Sequence, residues 1–209
     1  MARKTTRTKA RKPAEPARPA PPRRKPNRES RAREFLTPKE VEALAVAAAK
    51  LGRHGHRDAT MIRLAYRHGL RVSELVGLRR EQLDLDAGAL HVRRAKRGVP
   101  STHPLGGREL RDLRRLLKEA PKSVHVFVTE RGGPVSDSGF RKVVARAGQA
   151  ARLPVPVHPH MLRHACGYKL ANDGRDTRSI QHYLGHRNIQ HTVRYTELDG
   201  GRFRGFFDD

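Results

Sequence analysis

The sequence predicts an α+β domain, mostly helical, with one small three-stranded antiparallel sheet. Over most of residues 35–209, apolar residues recur at helical spacing between clear start and stop signals. Between residues 82 and 105 the period changes, and three short runs of β character are separated by the turn signals Asp86-Ala87-Gly88 and Arg97-Gly98. A third observation sets the start of the domain. Residues 1–34 hold 13 Lys/Arg, 3 Asp/Glu and 6 Pro, with almost no large apolar side chain. Such a segment cannot bury enough surface to offset its ordering entropy, so it reads as a disordered basic arm ahead of a folded domain at 35–209.

The elements follow in order. Thr37-Pro38-Lys39-Glu40 is a capping box with proline at the first helical position. Val41, Leu44, Ala45, Ala48 and Leu51 form the apolar stripe of the helix it opens, and Gly52 ends it. A second helix is predicted over 58–68, stopped by Gly69, and a short third one capped by Ser73. Strands are expected at 82–85, 89–93 and 102–105, then a helix over 107–119 and a short apolar strand or extended piece at 124–129. Arg131-Gly132-Gly133-Pro134 is a turn, and Ser136 caps a helix reaching about residue 151. Pro159 opens a helix through 172, Asp176 caps another to 184, and a last short helix covers 190–195. The apolar tail at 203–207 needs a surface to cover it.

Charge narrows the function. The 209 residues carry 45 Lys/Arg against 21 Asp/Glu, a formal net charge of +24. The arm holds +10 of this, and residues 35–209, with 32 basic against 18 acidic side chains, hold +14. That is the electrostatic footprint of a nucleic-acid binder, with the arm either contacting phosphates or standing as a solvated extension with no specific role. A single cysteine excludes a disulfide scaffold within one chain. There is no apolar run of membrane-spanning length and no secretory-type N-terminus, so a soluble cytoplasmic protein is expected.

Three segments concentrate polar chemistry: Gly69-Leu70-Arg71-Val72-Ser73-Glu74-Leu75, His158-Pro159-His160-Met161-Leu162-Arg163-His164, and Tyr183-Leu184-Gly185-His186 followed nine residues later by Tyr195. Glu74 stands three residues after Arg71 and can hold its guanidinium. His160 and Arg163 share a helix face. Arginine forks suit bidentate binding of phosphate, tyrosine can be a covalent nucleophile, and histidine can take or stabilise a proton near neutral pH. Together these residue types fit phosphoryl transfer.

Their order and spacing resemble the tyrosine recombinase (phage integrase) family. The segments around Arg71, His160-Met161-Leu162-Arg163-His164, and Leu184-Gly185-His186 with Arg194-Tyr195-Thr196 match that family's motifs over about residues 36–208. Leu64-Ala65-Tyr66-Arg67-His68-Gly69, the run from His158 to Tyr168 and the run from Tyr183 to Ile189 are similar to the branch that inverts the promoter of type 1 fimbriae. The resemblance implies a tyrosine-recombinase catalytic domain in which Tyr195 attacks the scissile phosphate to give a 3′-phosphotyrosine. Arg71 and Arg163 would hold the non-bridging oxygens, His186 would donate a hydrogen bond to the phosphate, and His160 would assist proton removal from Tyr195. Lys96, in the hairpin Arg94-Ala95-Lys96-Arg97-Gly98, would protonate the leaving 5′-oxygen, with Glu74 orienting Arg71. Arg93, Arg94 and Arg97 crowd the same hairpin and are expected to contact DNA. The implied partners are double-stranded DNA with paired recombination sites, a homotetramer on that DNA and DNA-bending accessory proteins. No metal and no cofactor is implied.

Other readings stand beside this one. His160 with His164, and His182 with His186, are one helical turn apart, and Cys166 lies near the first pair, but no His-Glu-x-x-His or Cys-x-x-Cys motif supports zinc. Cys166 reads as a small buried residue, His158 and His164 as structural, and Tyr66, Tyr168 and Tyr183 as core. The same site residues would serve integration or excision of a mobile element, or topoisomerase-like relaxation. A non-catalytic DNA-binding regulator is the alternative outside enzymes. The 203–207 tail is expected either to dock on a neighbouring protomer or to cover its own core.

Overall fold

The computed structural model describes residues 33–95 and 98–197. Helices dominate: α1 (Pro38–Ala49), α2 (Gly55–Arg67), α3 (Val72–Val76), α4 (Gly107–Glu119), α5 (Asp137–Ala150), α6 (Pro159–Asn172), α7 (Thr177–Leu184) and α8 (Gln190–Thr196). Between α3 and α4 lies an antiparallel sheet in the order β1 (Leu83–Asp84), β2 (Ala89–Val92), β3 (Ser101–Pro104). Leu83 pairs with Leu90, and Leu90 with His103.

Local chemistry explains the starts. Thr37 accepts from the Glu40 amide at 3.3 Å while the Glu40 carboxylate takes the Thr37 amide at 2.8 Å, closing the expected capping box. Ser136 and Asp176 cap α5 and α7 through the amides of Gly139 and Ser179. Val41, Leu44, Ala45 and Ala48 of α1 pack on Ile62, Leu64 and Ala65 of α2 in a core that also takes in Leu113, Phe127, Phe140 and Leu162. Helix α6 is buried almost all round, Met161 through Tyr168 without a break, so it runs through the protein rather than along its surface. That is why its polar residues, Arg163 and His164, must find partners inside.

Several boundaries differ from expectation. Helix α1 ends before Leu51, and α2 starts at Gly55 rather than near 58. Helix α3 is not capped by Ser73. It starts two residues earlier, with Arg71 in the capping position, because the Glu74 carboxylate takes the Arg71 amide at 2.9 Å. Gln82 belongs to a 3-10 turn, Arg80–Gln82, which shortens β1. The 124–129 segment makes isolated bridges, Arg79 with His125 and Val128 with Pro134, rather than a strand. The compact unit begins at Arg33, so the last two residues assigned to the arm belong to the domain's contacts: Arg33 bonds Glu40 at 2.5 Å, and Glu34 pairs with Arg194. Residues 1–32, Lys96, Arg97 and the 203–207 tail lie outside the described residues.

Candidate active site

The turn between α2 and α3 presents Arg71. Its side chain is 25% exposed, and Nη1 donates to Glu74 Oε1 at 2.6 Å. Glu74 also accepts from the Ala95 amide at 2.9 Å and from Arg94 Nη1 at 3.1 Å, so one carboxylate ties the Arg71 turn to the β2–β3 hairpin. Burial works against its charge, but the Arg71 amide and the Arg94 guanidinium outweigh it and hold the carboxyl below the ordinary range.

Arg94 is not the surface DNA contact its hairpin position implied. Its side chain is fully buried. Besides Glu74 it donates to the carbonyls of His68 and Tyr183. The strand period explains this: Leu90, Val92 and Arg94 alternate onto the inner face of the sheet. Arg93, on the outer face, is exposed and pairs with Glu81 at 3.1 Å.

Arg163 is 1% exposed. Its fork binds two carbonyls, Nη1 that of Gly69 and Nη2 that of Leu184 at 2.7 Å. Burial, and then the charges of Arg71 and Arg94, push its pKa down to about 10. It thereby braces the turn before Arg71 against the end of α7.

That end is built for a sharp exit. Gly185 has φ +65°, and its amide bonds His182 while the His186 amide bonds Gln181, satisfying the last carbonyls of α7. The turn aims His186 into a cavity of about 660 Å³ that also takes in Arg71, Arg178, Gln181, Arg187 and His191. His186 Nδ1 shares a 2.8 Å hydrogen bond with Thr192, and burial, then Arg163 and Arg71, lower its pKa to about 3.

Helix α8 carries Tyr195, which is 2% exposed. Its ring lies nearly parallel to that of His186, 16° between planes and 6.3 Å between centroids, and edge-on to Tyr168. Gly167 makes the fit possible, since a Cβ there would stand 2.7 Å from the phenol ring. The Tyr195 hydroxyl bonds His164 Nδ1 at 2.9 Å. Burial raises the phenol's pKa to about 12 and lowers that of His164 to about 3. In the Nε2–H tautomer of His164 the bare Nδ1 accepts and the phenol is the donor; in the Nδ1–H tautomer the roles are exchanged. His160, at the surface, packs edge-on against His164, 4.4 Å between centroids; desolvation of its ring against the protein, then the charge of Arg163, lowers its pKa to about 4.

The phage integrase family matches residues 34–202. The chain belongs to that family. It is 44% identical over 182 residues to the type 1 fimbriae regulatory protein FimE of Escherichia coli strain K12, covering 84% of this chain and 91% of that relative. The corresponding match to FimB of the same strain is 42% over 185 residues, with 86% and 92% covered. Among solved structures, the XerA recombinase superposes with a TM-score of 0.69 at 25% identity, covering 81% of this chain and 62% of XerA. The XerH recombinase on a palindromic difH substrate, at 21% identity, shares the fold with a TM-score of 0.71, covering 82% of this chain and 51% of XerH. The protein is a tyrosine-type site-specific recombinase, an enzyme that breaks and rejoins DNA.

In this recombinase, Arg71 and His186 line the cavity, and Tyr195 and His160 are linked to it through the rings of His186 and His164. Arg163 is bound to the loops on either side. His164 was read from the sequence as structural, yet it holds the phenol. Its spacing of four from His160 was the available signal. Thr192, Gly167, Arg178, Arg187 and His191 were not singled out. Among the described residues, no group of three or more His, Cys, Asp or Glu is placed to hold a metal ion, and no helix is long and apolar enough to cross a membrane.

Proposed function

We propose that this recombinase inverts a DNA segment between paired sites, using Tyr195 as nucleophile. Tyr195 Oη attacks the scissile phosphorus, the bond to the 5′-oxygen breaks, and a 3′-phosphotyrosine and a 5′-hydroxyl result. The phenol proton passes to His164 Nδ1, with His160 behind it at the surface. Arg71, reinforced by Arg163, stabilises the charge growing on the non-bridging oxygens. With the Thr192 hydroxyl donating to Nδ1, His186 keeps its Nε2 proton for the phosphate. Lys96 delivers the proton to the departing 5′-oxygen. Attack by a 5′-hydroxyl from the second site reverses the chemistry and exchanges the strands.

The observation that carries this reading is the conjunction of a basic cavity lined by Arg71 and His186 with a tyrosine stacked beside it on His186. The phenol is buried and hydrogen-bonded, so binding of DNA has to uncover it. Arg178 and Arg187 supply phosphate contacts around the cavity, and Arg93, Arg97 and the 1–32 arm contact further phosphates. A tetramer on two sites, helped by DNA-bending proteins in a bacterial cytoplasm, is the working unit, with residues 203–207 docking on a neighbouring protomer. The likeness to type 1 fimbriae regulatory proteins over nine-tenths of their length supports a regulatory inversion rather than integration.

The test starts from host DNA fragments trapped covalently on the protein in EDTA. Two copies of the recovered site are placed on a supercoiled plasmid in inverted orientation. Inversion of the intervening segment, read by restriction pattern, is expected. Relaxation of any plasmid regardless of site would instead establish the topoisomerase-like reading. Excision from direct repeats with no inversion would establish mobile-element chemistry.

A further inference from the structure

Behind Arg71 lies a row of polar groups that the reaction does not use directly. Glu109 of α4 is 4% exposed, His68 at the end of α2 is 1% exposed, and His103 of β3 is 1% exposed. His68 Nε2 lies 3.1 Å from Glu109 Oε1, and His68 Nδ1 lies 3.1 Å from His103 Nδ1. His103 Nε2 faces the Ser101 hydroxyl at 2.8 Å and Arg94 Nη2 at 3.5 Å. The His103 ring stacks on Tyr183, 3.9 Å between centroids. Glu109 takes two further donors, the Gly106 amide at 2.8 Å and Arg67 Nε at 3.3 Å.

One order of protons completes the contact to Arg94. Arginine only donates, so a hydrogen bond from Arg94 Nη2 has His103 Nε2 as its acceptor. Burial, then His68 and Arg94, hold His103 far below the ordinary histidine range, at about 3, so it is neutral and its single proton sits on Nδ1. That proton is donated to His68 Nδ1. In that order His68 Nδ1 is the acceptor and a His68 Nε2–H donates to Glu109. Every donor in the row points away from Arg94 toward the Glu109 carboxylate.

The arrangement answers an electrostatic need. Arg71, Arg94 and Arg163 crowd one carboxylate, Glu74, and two of the three guanidinium groups are buried. Two imidazoles in series carry the polarity of a second carboxylate to Arg94, which makes His103 Nε2 a stronger acceptor. Arg94 is thereby held with Nη1 on Glu74, and Glu74 with Oε1 on Arg71.

We propose that Glu109, His68 and His103 form a positioning row that fixes Arg94 and, through Arg94 and Glu74, sets the guanidinium of Arg71 at the cavity. The proposal rests on the reading of Arg71 as a phosphate-binding residue. His103 is its key member, because its ring joins the row to the Arg94 guanidinium and stacks on Tyr183 at the end of α7, while His68 meets Arg94 only through its carbonyl.

Two measurements on the full chain test it. Long-range ¹H–¹⁵N spectra of the histidine rings at neutral pH should show His103 as the Nδ1–H tautomer and His68 as the Nε2–H tautomer. A charged His103, or one protonated on Nε2, overturns the row. The second measurement is single-turnover cleavage of a nicked duplex bearing the trapped site. His103→Phe keeps a ring against Tyr183 but removes the hydrogen bonds to His68, Ser101 and Arg94, each worth about a factor of ten in an equilibrium or a rate. The cleavage rate at saturating DNA should fall at least about tenfold, with DNA affinity changed less than about twofold. An unchanged rate, or a loss confined to affinity, overturns the proposal. If His103→Phe does not fold, the tautomers of the wild-type rings decide. Arg71→Ala in the same assay separates the two claims: a fully active Arg71→Ala defeats the reading of the site, whereas an inactive Arg71→Ala beside a fully active His103→Phe defeats the row alone.

Discussion

The two sides of the active site are held by different physics. Around Arg71, buried charges are locked to one another: Glu74 binds the Arg71 amide and guanidinium, Arg94 and the Ala95 amide, and Arg163 braces the flanking carbonyls. Around Tyr195, the seven-residue helix α8 rests on aromatic rings and a few single hydrogen bonds. Its outer edge is tied by an ion pair, Arg194 with Glu34, whose side chains are 42% and 32% exposed. A phosphate-binding arginine gains from a fixed geometry, because preorganised charge needs no rearrangement at the moment of reaction. If Tyr195 is the nucleophile proposed above, it starts buried and has to move, and ring packing with few polar ties lets it do so at modest expense.

Mutations should separate the halves. The largest effect is expected from Glu74→Ala, which leaves the fully buried Arg94 without its carboxylate. Breaking one side of a buried pair costs about 3–5 kcal/mol, so urea unfolding should show a loss of that order. On the other side, Gly167→Ala puts a Cβ 2.7 Å from the Tyr195 ring and must displace α8. A loss of about 1–3 kcal/mol in the same assay is expected, with DNA cleavage slowed.

The contrast also explains what was legible in the sequence. The helix starts at Thr37, Ser136 and Asp176 were readable because each cap lies within three residues of its partner, and the one at Pro159 because proline suits the first helical position. Arg71 with Glu74 was readable for the same reason. Arg94 was misplaced because Arg93-Arg94-Ala95-Lys96-Arg97 looks like a solvated basic hairpin, while its partners Glu74 and Tyr183 lie 20 and 89 residues away. The alternation of Leu90, Val92 and Arg94 held the missing signal. His164 was undervalued because the hydroxyl it binds lies 31 residues along the chain.

Acid should strain both halves together. His103, His164 and His186 have folded pKa values near 3, below their ordinary 6.5. Below pH about 6.5 the unfolded chain takes up protons that the folded one refuses, so stability is lost as pH falls toward 3 and is level above about 7. Thermal unfolding across pH 4–8 checks the direction; a Tm that rises on acidification would contradict it. The smallest effect is expected from Glu34→Gln, which removes a partly exposed ion pair worth about 0–1 kcal/mol. A loss as large as that of Glu74→Ala would erase the contrast between the two sides.

The central claim is that Tyr195 is the nucleophile, and the chain offers only four tyrosines to compare. The most direct measurement is peptide mapping of the covalent adduct formed on nicked host DNA in EDTA, with Tyr195→Phe alongside. The account predicts nucleotide on the peptide containing Tyr195 and no adduct with Tyr195→Phe. Nucleotide on Tyr66, Tyr168 or Tyr183, or an adduct that survives Tyr195→Phe, would contradict it.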